Sequence, residues 1–229
     1  MKLKLEILSN LKSRWKAVCE LRSRFGIVRT LQHVAFRLIN KIICFNCLHI
    51  IVLNRENLKP LDPNKTSRLS TKIATLEDLK EMVNQGCWDL PPKTFEYFNR
   101  GDSCLLSYID NKLAGYTWVL GDKCHAVMED IKLSMPNGYL YNWAGFTLPE
   151  YRGYGLQSFR HHELLNHPRW RDKKGLVGYV NQTNYRSKRG QVKGGYERVG
   201  KVYIVGWKSN FHAFIGKNLL NMGFKRIKR

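Results

Sequence analysis

Phe146-Thr-Leu-Pro-Glu-Tyr-Arg-Gly-Tyr-Gly-Leu-Gln157 is the stretch on which the fold turns. A strand-like run (Tyr139, Leu140, Tyr141, Trp143, Phe146) precedes and enters it and stops at Leu148-Pro149. Pro149 has no backbone N–H and cannot extend strand pairing. Gly153 and Gly155 allow backbone angles, and close approach of another molecule, that a side chain would block. A helix-like stretch, Ser158 to Asn166, follows. A helix N-terminus presents unpaired N–H groups and the positive end of the helix dipole, which favour phosphate. The stretch therefore predicts a strand, a phosphate cradle and a helix.

Downstream, Gly175-Leu-Val-Gly-Tyr-Val180 reads as another strand. Asn184-Tyr-Arg-Ser187 opens a segment that Gly195-Tyr196 closes, with Asn184 placed to cap a helix. The two segments resemble motifs A and B of the GCN5-related N-acetyltransferase (GNAT) superfamily. Motif A, Arg/Gln-x-x-Gly-x-Gly/Ala, corresponds here to Arg152, Gly155 and Gln157, with Gln157 where the family prefers a small residue. The resemblance covers roughly residues 68–229. It implies an α+β fold with a mixed central sheet flanked by helices, to which this chain adds an N-terminal helical segment. It also implies a co-substrate, acetyl-CoA or a longer acyl-CoA, and no metal. The implied binding positions are Phe146, Leu148, Arg152, Gly153, Tyr154, Gly155, Leu156, Gln157, Asn184 and Ser187. Strands near 141–147 and 176–181 would splay apart to receive the pantetheine arm, and a backbone N–H near Phe146 or Leu148 would polarise the thioester carbonyl.

The rest of the chain fits this order of elements. Leu69 to Ala74 predicts a strand, Thr75-Leu-Glu-Asp78 an N-capped helix running through Met82 and Val83, and Phe95, Tyr97 and Phe98 a second helix. Cys104–Ile109 and Leu113–Leu120 flank Asp110-Asn111 as a hairpin. Val202–Trp207 and Gly223–Ile227 read as later strands. Before them, residues 1–24 and 27–43 carry apolar residues at helical spacing, and Leu48–Leu53 reads as a short strand. Pro60-Leu-Asp-Pro63 marks a boundary between residues 1–60, a basic amphipathic extension, and residues 61–229, the acyltransferase-like domain.

Residues 1–60 hold 12 Lys/Arg and 3 Asp/Glu; residues 151–229 hold 18 and 3; the chain as a whole carries +21. Such a field favours anionic partners: an acidic acyl carrier protein, an anionic membrane surface or nucleic acid. A basic protein that binds nucleic acid or a membrane surface through a degenerate GNAT fold is the competing reading, but no recognised DNA- or RNA-binding motif is present. Cys44 and Cys47 lie in an apolar run and read as buried thiols rather than a metal site. The start lacks the apolar block of a signal peptide, so the expected location is cytoplasmic, peripheral to a membrane if residues 1–60 bind one.

An N-acyltransferase moves an acetyl or longer acyl group, fatty chains included, from a thioester to a primary amine on a small molecule or a peptide lysine. It needs a base for the amine and a proton for the leaving thiolate. Glu129, Asp130, Tyr141 and His161 are base candidates, with His162 beside the last. Many GNAT members place a Tyr acid seven residues after the motif B Asn. Here that position is Gln191, which has no dissociable proton; Tyr185 and Tyr196 are nearby, neither at the matching position, and Tyr185 is the candidate taken from them.

Overall fold

The computed structural model describes residues 15–16, 18–86, 88–120, 125–128, 131–207 and 210–227. Residues 18–25 are helical, and Gly26 separates them from α1 (Ile27–Ile39). In chain order follow β1 (Cys44–Asn54), α2 (Pro63–Thr66), β2 (Leu69–Ile73), α3 (Leu76–Gln85), α4 (Thr94–Asn99), β3 (Ser103–Ile109) and β4 (Lys112–Leu120). Next come β5 (His125–Met128), β6 (Ile131–Ser134), β7 (Tyr139–Thr147), α5 (Leu156–Asn166), β8 (Gly175–Asn181) and α6 (Tyr185–Lys193). The last elements are β9 (Glu197–Trp207), β10 (Asn210–Ile215), α7 (Lys217–Asn221) and β11 (Lys225–Ile227).

Local chemistry accounts for several of these boundaries. The Thr75 hydroxyl accepts from the Asp78 N–H while the Asp78 carboxylate accepts from the Thr75 N–H, a reciprocal cap that starts α3. Asp110 and Asn111 both take positive φ, 47° and 62°, as a tight two-residue hairpin demands.

Eight strands form one sheet in the order β10-β9-β1-β8-β7-β4-β3-β2, and β11, β6 and β5 form a second, small sheet. Every neighbouring pair is antiparallel except β7 and β8, which run parallel. The α+β fold with a mixed central sheet is thus as expected. The division at residue 60 is not: β1, from the segment assigned to the extension, lies inside the sheet between β8 and β9. It is also eleven residues long, where a short strand was expected. Leu48 through Leu53 are buried, which is why that run, His49 apart, is apolar without alternation.

On one face, Leu164 and Leu165 of α5 cover Ile51, Leu53, Leu140, Leu176 and Val180. On the other, Leu79 and Met82 of α3 cover Cys104, Leu106, Tyr116 and Trp118. Beyond them Ile131 and Leu133 of β6 and Leu219 of α7 cover Ile50, Tyr141, Val177 and Ile204. Trp143 packs against both of these opposite-face clusters and so lies where they meet.

Candidate functional site

The parallel ladder between β7 and β8 is short. Tyr139 pairs with Gly175, Leu140 with Leu176 and Tyr141 with Val177; beyond that step the ladder ends although both strands continue. Gly178 stands at the apex, where a Cβ would come within 2.9 Å of the Asn142 carbonyl oxygen. Just beyond, β7 bulges: Tyr116 faces Phe146 and Trp118 faces Trp143, so Thr117 alone opposes Ala144 and Gly145. Ala144 takes φ 45°, and such a bulge bends the strand and re-aims its backbone groups. The two strands thus stop pairing within 141–147 and 176–181, where the splay is expected.

At the C-terminal end of β7, Tyr151 packs against the cluster of Ile109, Ala114 and Leu156, which fixes the start of the glycine loop. The exposed Arg152 turns back, its Nε donating to the Thr147 carbonyl at 3.1 Å. Gly153 and Gly155 take φ 96° and 78°, and a Cβ at either would meet nothing within 4 Å. Gly155 is the N-cap of α5, and no side chain caps that helix. The loop thus has the open backbone that a phosphate cradle needs, and Leu156 behind it is buried.

At the C-terminal end of β8, the Asn184 side chain accepts from the Ser187 N–H at 3.0 Å and starts α6, as the sequence predicts. The two motifs abut. Gln157 Oε1 lies 2.9 Å from where a Cβ of Gly190 would stand, so the unusual Gln fills the space over a glycine of α6.

A buried polar chain links the apex to α5. Thr117 Oγ1 donates to Asn142 Oδ1 at 2.6 Å, Asn142 Nδ2 donates to the Tyr196 hydroxyl at 3.3 Å, and that hydroxyl meets His161 Nε2 at 3.4 Å. Burial raises the Tyr196 phenol, so it remains protonated. His161 is pushed down to about 3, first by burial and then by the adjacent Arg160 and His162. Its ring is therefore neutral, with Nε2 as the acceptor and Nδ1 without a partner among the described residues.

Arg160 is the residue that sequence reasoning missed. It is buried, and its guanidinium donates to Ser107 Oγ (2.9 Å), the Phe146 carbonyl (3.3 Å) and Thr147 Oγ1 (3.1 Å), clamping the end of β7 to β3. Burial lowers it to about 10, so it stays charged at neutral pH. Nothing in the spacing of Ser158–Asn166 distinguishes this arginine from a surface one. Asn142 likewise carries no signal in the sequence, and Tyr196 lies near the acid position without occupying it.

The remaining candidates are dispersed. Tyr141 is buried on the face away from α5, its hydroxyl hydrogen-bonded to Tyr179, and burial raises it well above the usual phenol range. That corrects its reading as a base: a phenol held in its neutral form has little tendency to lose its proton. His161 is likewise corrected, since it reaches the apex only through Tyr196 and Asn142. The Tyr185 hydroxyl donates to the Arg29 carbonyl of α1 at 3.0 Å, with Arg29 and Lys188 over its ring, so this acid candidate is committed to docking the N-terminal helix. The Leu148 N–H already donates to the Ala114 carbonyl at 3.0 Å, which removes it as the group that polarises a thioester. Phe146 stacks on Tyr116 at 5.8 Å, and Tyr154 is half exposed beside the loop. Gln191, at the acid position, has a buried Oε1 with no partner among the described residues. Glu129 and Asp130 lie outside the described residues.

No family model matches the sequence, and no curated protein matches it. Solved structures do match in fold. A conserved protein of unknown function from Staphylococcus epidermidis superposes with TM-score 0.50 at 13% identity, covering 74% of this chain and 66% of that one. A GCN5-related glucosamine N-acetyltransferase region within a fungal multi-domain GH3 β-N-acetylglucosaminidase gives 0.51 at 13% identity, covering 78% of this chain and 23% of that one. A GCN5-related N-acetyltransferase from Kribbella flavida gives 0.46 at 12% identity, covering 77% and 64%. This chain thus spans less than a quarter of the fungal protein and about two thirds of the two bacterial ones.

Proposed function

We propose that this chain, which has the GNAT fold, is an N-acyltransferase that takes an acetyl or longer acyl group from a CoA thioester and transfers it to a primary amine. The observation that carries the reading is the joint geometry of the splay. The β7–β8 ladder ends at Tyr141/Val177, an uncapped glycine loop stands at the far end of β7, and the Asn184-capped helix stands at the far end of β8.

In this reading the pyrophosphate sits on the Gly153–Gln157 backbone with Arg152 beside it, where N–H dipoles and an exposed cation meet its charge. Ser187 and Asn184 border the other side. The pantetheine arm enters the splay, and the bulge at Ala144–Gly145 offers redirected backbone groups to the thioester. The acceptor approaches from the face opposite α5, where Tyr97 and Trp143 meet edge to face at 4.9 Å and Trp118 lies 5.9 Å from Trp143. The amine nitrogen attacks the carbonyl carbon, the carbon–sulfur bond breaks, the amine gives up a proton and the departing thiolate gains one. Arg160 holds the Phe146 carbonyl and the Thr147 hydroxyl, which border this reaction. Thr117, Asn142 and Tyr196 keep the apex fixed and polar. Glu129 and Asp130, just before the buried Ile131, and His162 remain as candidate bases from the chain itself.

The test is a thermal-shift and turnover panel of CoA thioesters of graded chain length, run on the native chain and on Arg152→Ala. The variant is expected to raise KM or Kd for the thioester about tenfold, or roughly 1.4 kcal/mol. Unchanged binding would remove the glycine loop from the site, and the preferred chain length would identify the acyl group.

A further inference from the structure

Helix α1 turns Thr30, His33, Val34 and Phe36 toward the rest of the protein, with the exposed Arg29 and Gln32 at the edge of that side. The Tyr185 hydroxyl donates to the Arg29 carbonyl and lies 3.3 Å from Gln32 Oε1, and the Phe36 ring packs on Phe45 at 5.2 Å. Thr30 is buried on the same side, its hydroxyl bonded to the Gly26 carbonyl at 2.9 Å. The opposite side carries Ile27, Val28, Leu31, Ala35, Leu38 and Ile39. At 3.6 residues per turn these six fall within an arc of about 120°. Ile27 is 57% exposed, Val28 65%, Leu31 63% and Leu38 55%, and Ile42, in the turn after the helix, is 71% exposed. A surface helix ordinarily buries such a stripe. A contiguous exposed apolar strip of this kind marks an interaction surface.

The charge around the strip indicates its partner. Lys16, Arg22, Arg24, Arg37 and Lys41, on α1 and on the segments that flank it, are exposed. In residues 1–43 the only acids are Glu6 and Glu20, and Glu20 is paired with Arg24 at 2.9 Å. A second copy of the same face would set two strongly basic segments against each other, which electrostatics opposes. A lipid surface with anionic headgroups satisfies both the apolar strip and the cations. Among the described residues no helix is long and apolar enough to cross a bilayer, so the contact is interfacial. From this we infer that α1, with the helical stretch 18–25 before it, lies in the plane of an anionic lipid bilayer. Its apolar arc enters the headgroup–acyl boundary and its cations face the lipid phosphates. Because the inner side of α1 rests on Tyr185 at the start of α6, the membrane would lie beside the motif B end of the candidate site.

Flotation of the full chain with lipid vesicles tests this, using phosphatidylcholine alone and phosphatidylcholine with about 30 mol% phosphatidylglycerol. The chain is expected to float with the anionic vesicles, to stay behind with the neutral ones, and to be released by high salt. Leu31→Asp/Leu38→Asp should lower the partition coefficient tenfold or more while leaving the unfolding temperature in place, because both side chains are exposed. Lys16→Glu/Lys41→Glu should weaken the anionic preference without touching the apolar strip. Failure of the native chain to float with anionic vesicles, or equal flotation of the leucine variant, overturns the inference. So does a dimer, seen by light scattering, that the leucine variant dissociates, since the strip would then belong to a second copy.

Discussion

Arg160 and His161 are neighbours on α5, both buried, and their environments send them opposite ways. Arg160 keeps its charge because three oxygens surround it. His161 has one weak contact through Nε2 and sheds its proton. The unfolded chain binds that proton near 6.5, whereas the native state holds off until about 3. The stabilisation from neutral His161 is therefore complete above pH 6.5 and is lost as pH falls below it. Compared with His161→Gln, the native chain should lose an additional stability of about 1.4 kcal/mol per pH unit below 6.5 in urea unfolding. Parallel pH profiles for the two proteins would refute the buried neutral state. At this scale the sequence yields what is local: Arg152 and Asn184 are legible because a turn and a cap are read within four residues. Arg160, Asn142 and Tyr196 are not, since their roles arise from strands and a helix that meet only in three dimensions. Tyr185 misled for the same reason, its partner Arg29 being remote in the chain.

Among the elements, the one under most constraint is the β7–β8 pair at its apex. Gly178→Ala sets a methyl group against the Asn142 backbone oxygen at 2.9 Å, and a backbone oxygen in a central strand cannot swing aside. Overpacking of this kind costs about 1–3 kcal/mol. The variant is expected to show that loss in denaturant unfolding, together with a raised KM for the thioester from a displaced splay. A variant with native stability and native KM would show that the apex tolerates a wider opening. Elements with strong local signals, the capped α3 and the Asp110-Asn111 hairpin, were readable from the sequence. The small sheet was half readable: β11 was anticipated at Gly223–Ile227, but its partners are four-residue strands with little pattern to detect. β10 went unassigned because its side chains alternate between exposed and half-buried and include no fully buried residue.

For the molecule as a whole, the placement of β1 decides what can be removed. It pairs with β8 along one edge and β9 along the other, so the sheet is continuous only if residues 44–54 are present. A chain beginning at residue 61 is expected to lack a cooperative thermal transition, whereas one beginning at residue 26 should retain it. A folded protein from residue 61 onward would mean that another strand can close the gap. The boundary read at Pro60–Pro63 is an irregular connection that runs into α2 but not a seam in the core, because composition marks linkers and says nothing of pairing across long separations. That placement also sets a clock on biosynthesis. Leu48 must wait for Asn181, about 130 residues later, and at 5–20 residues per second the delay is roughly 7–27 s. Throughout that interval the apolar run Leu48–Leu53 has neither neighbour, so in the nascent chain it is a sticky segment with two open edges. Growth conditions that slow translation, or that deplete chaperones able to shield such a segment, should divert more of this protein into aggregates.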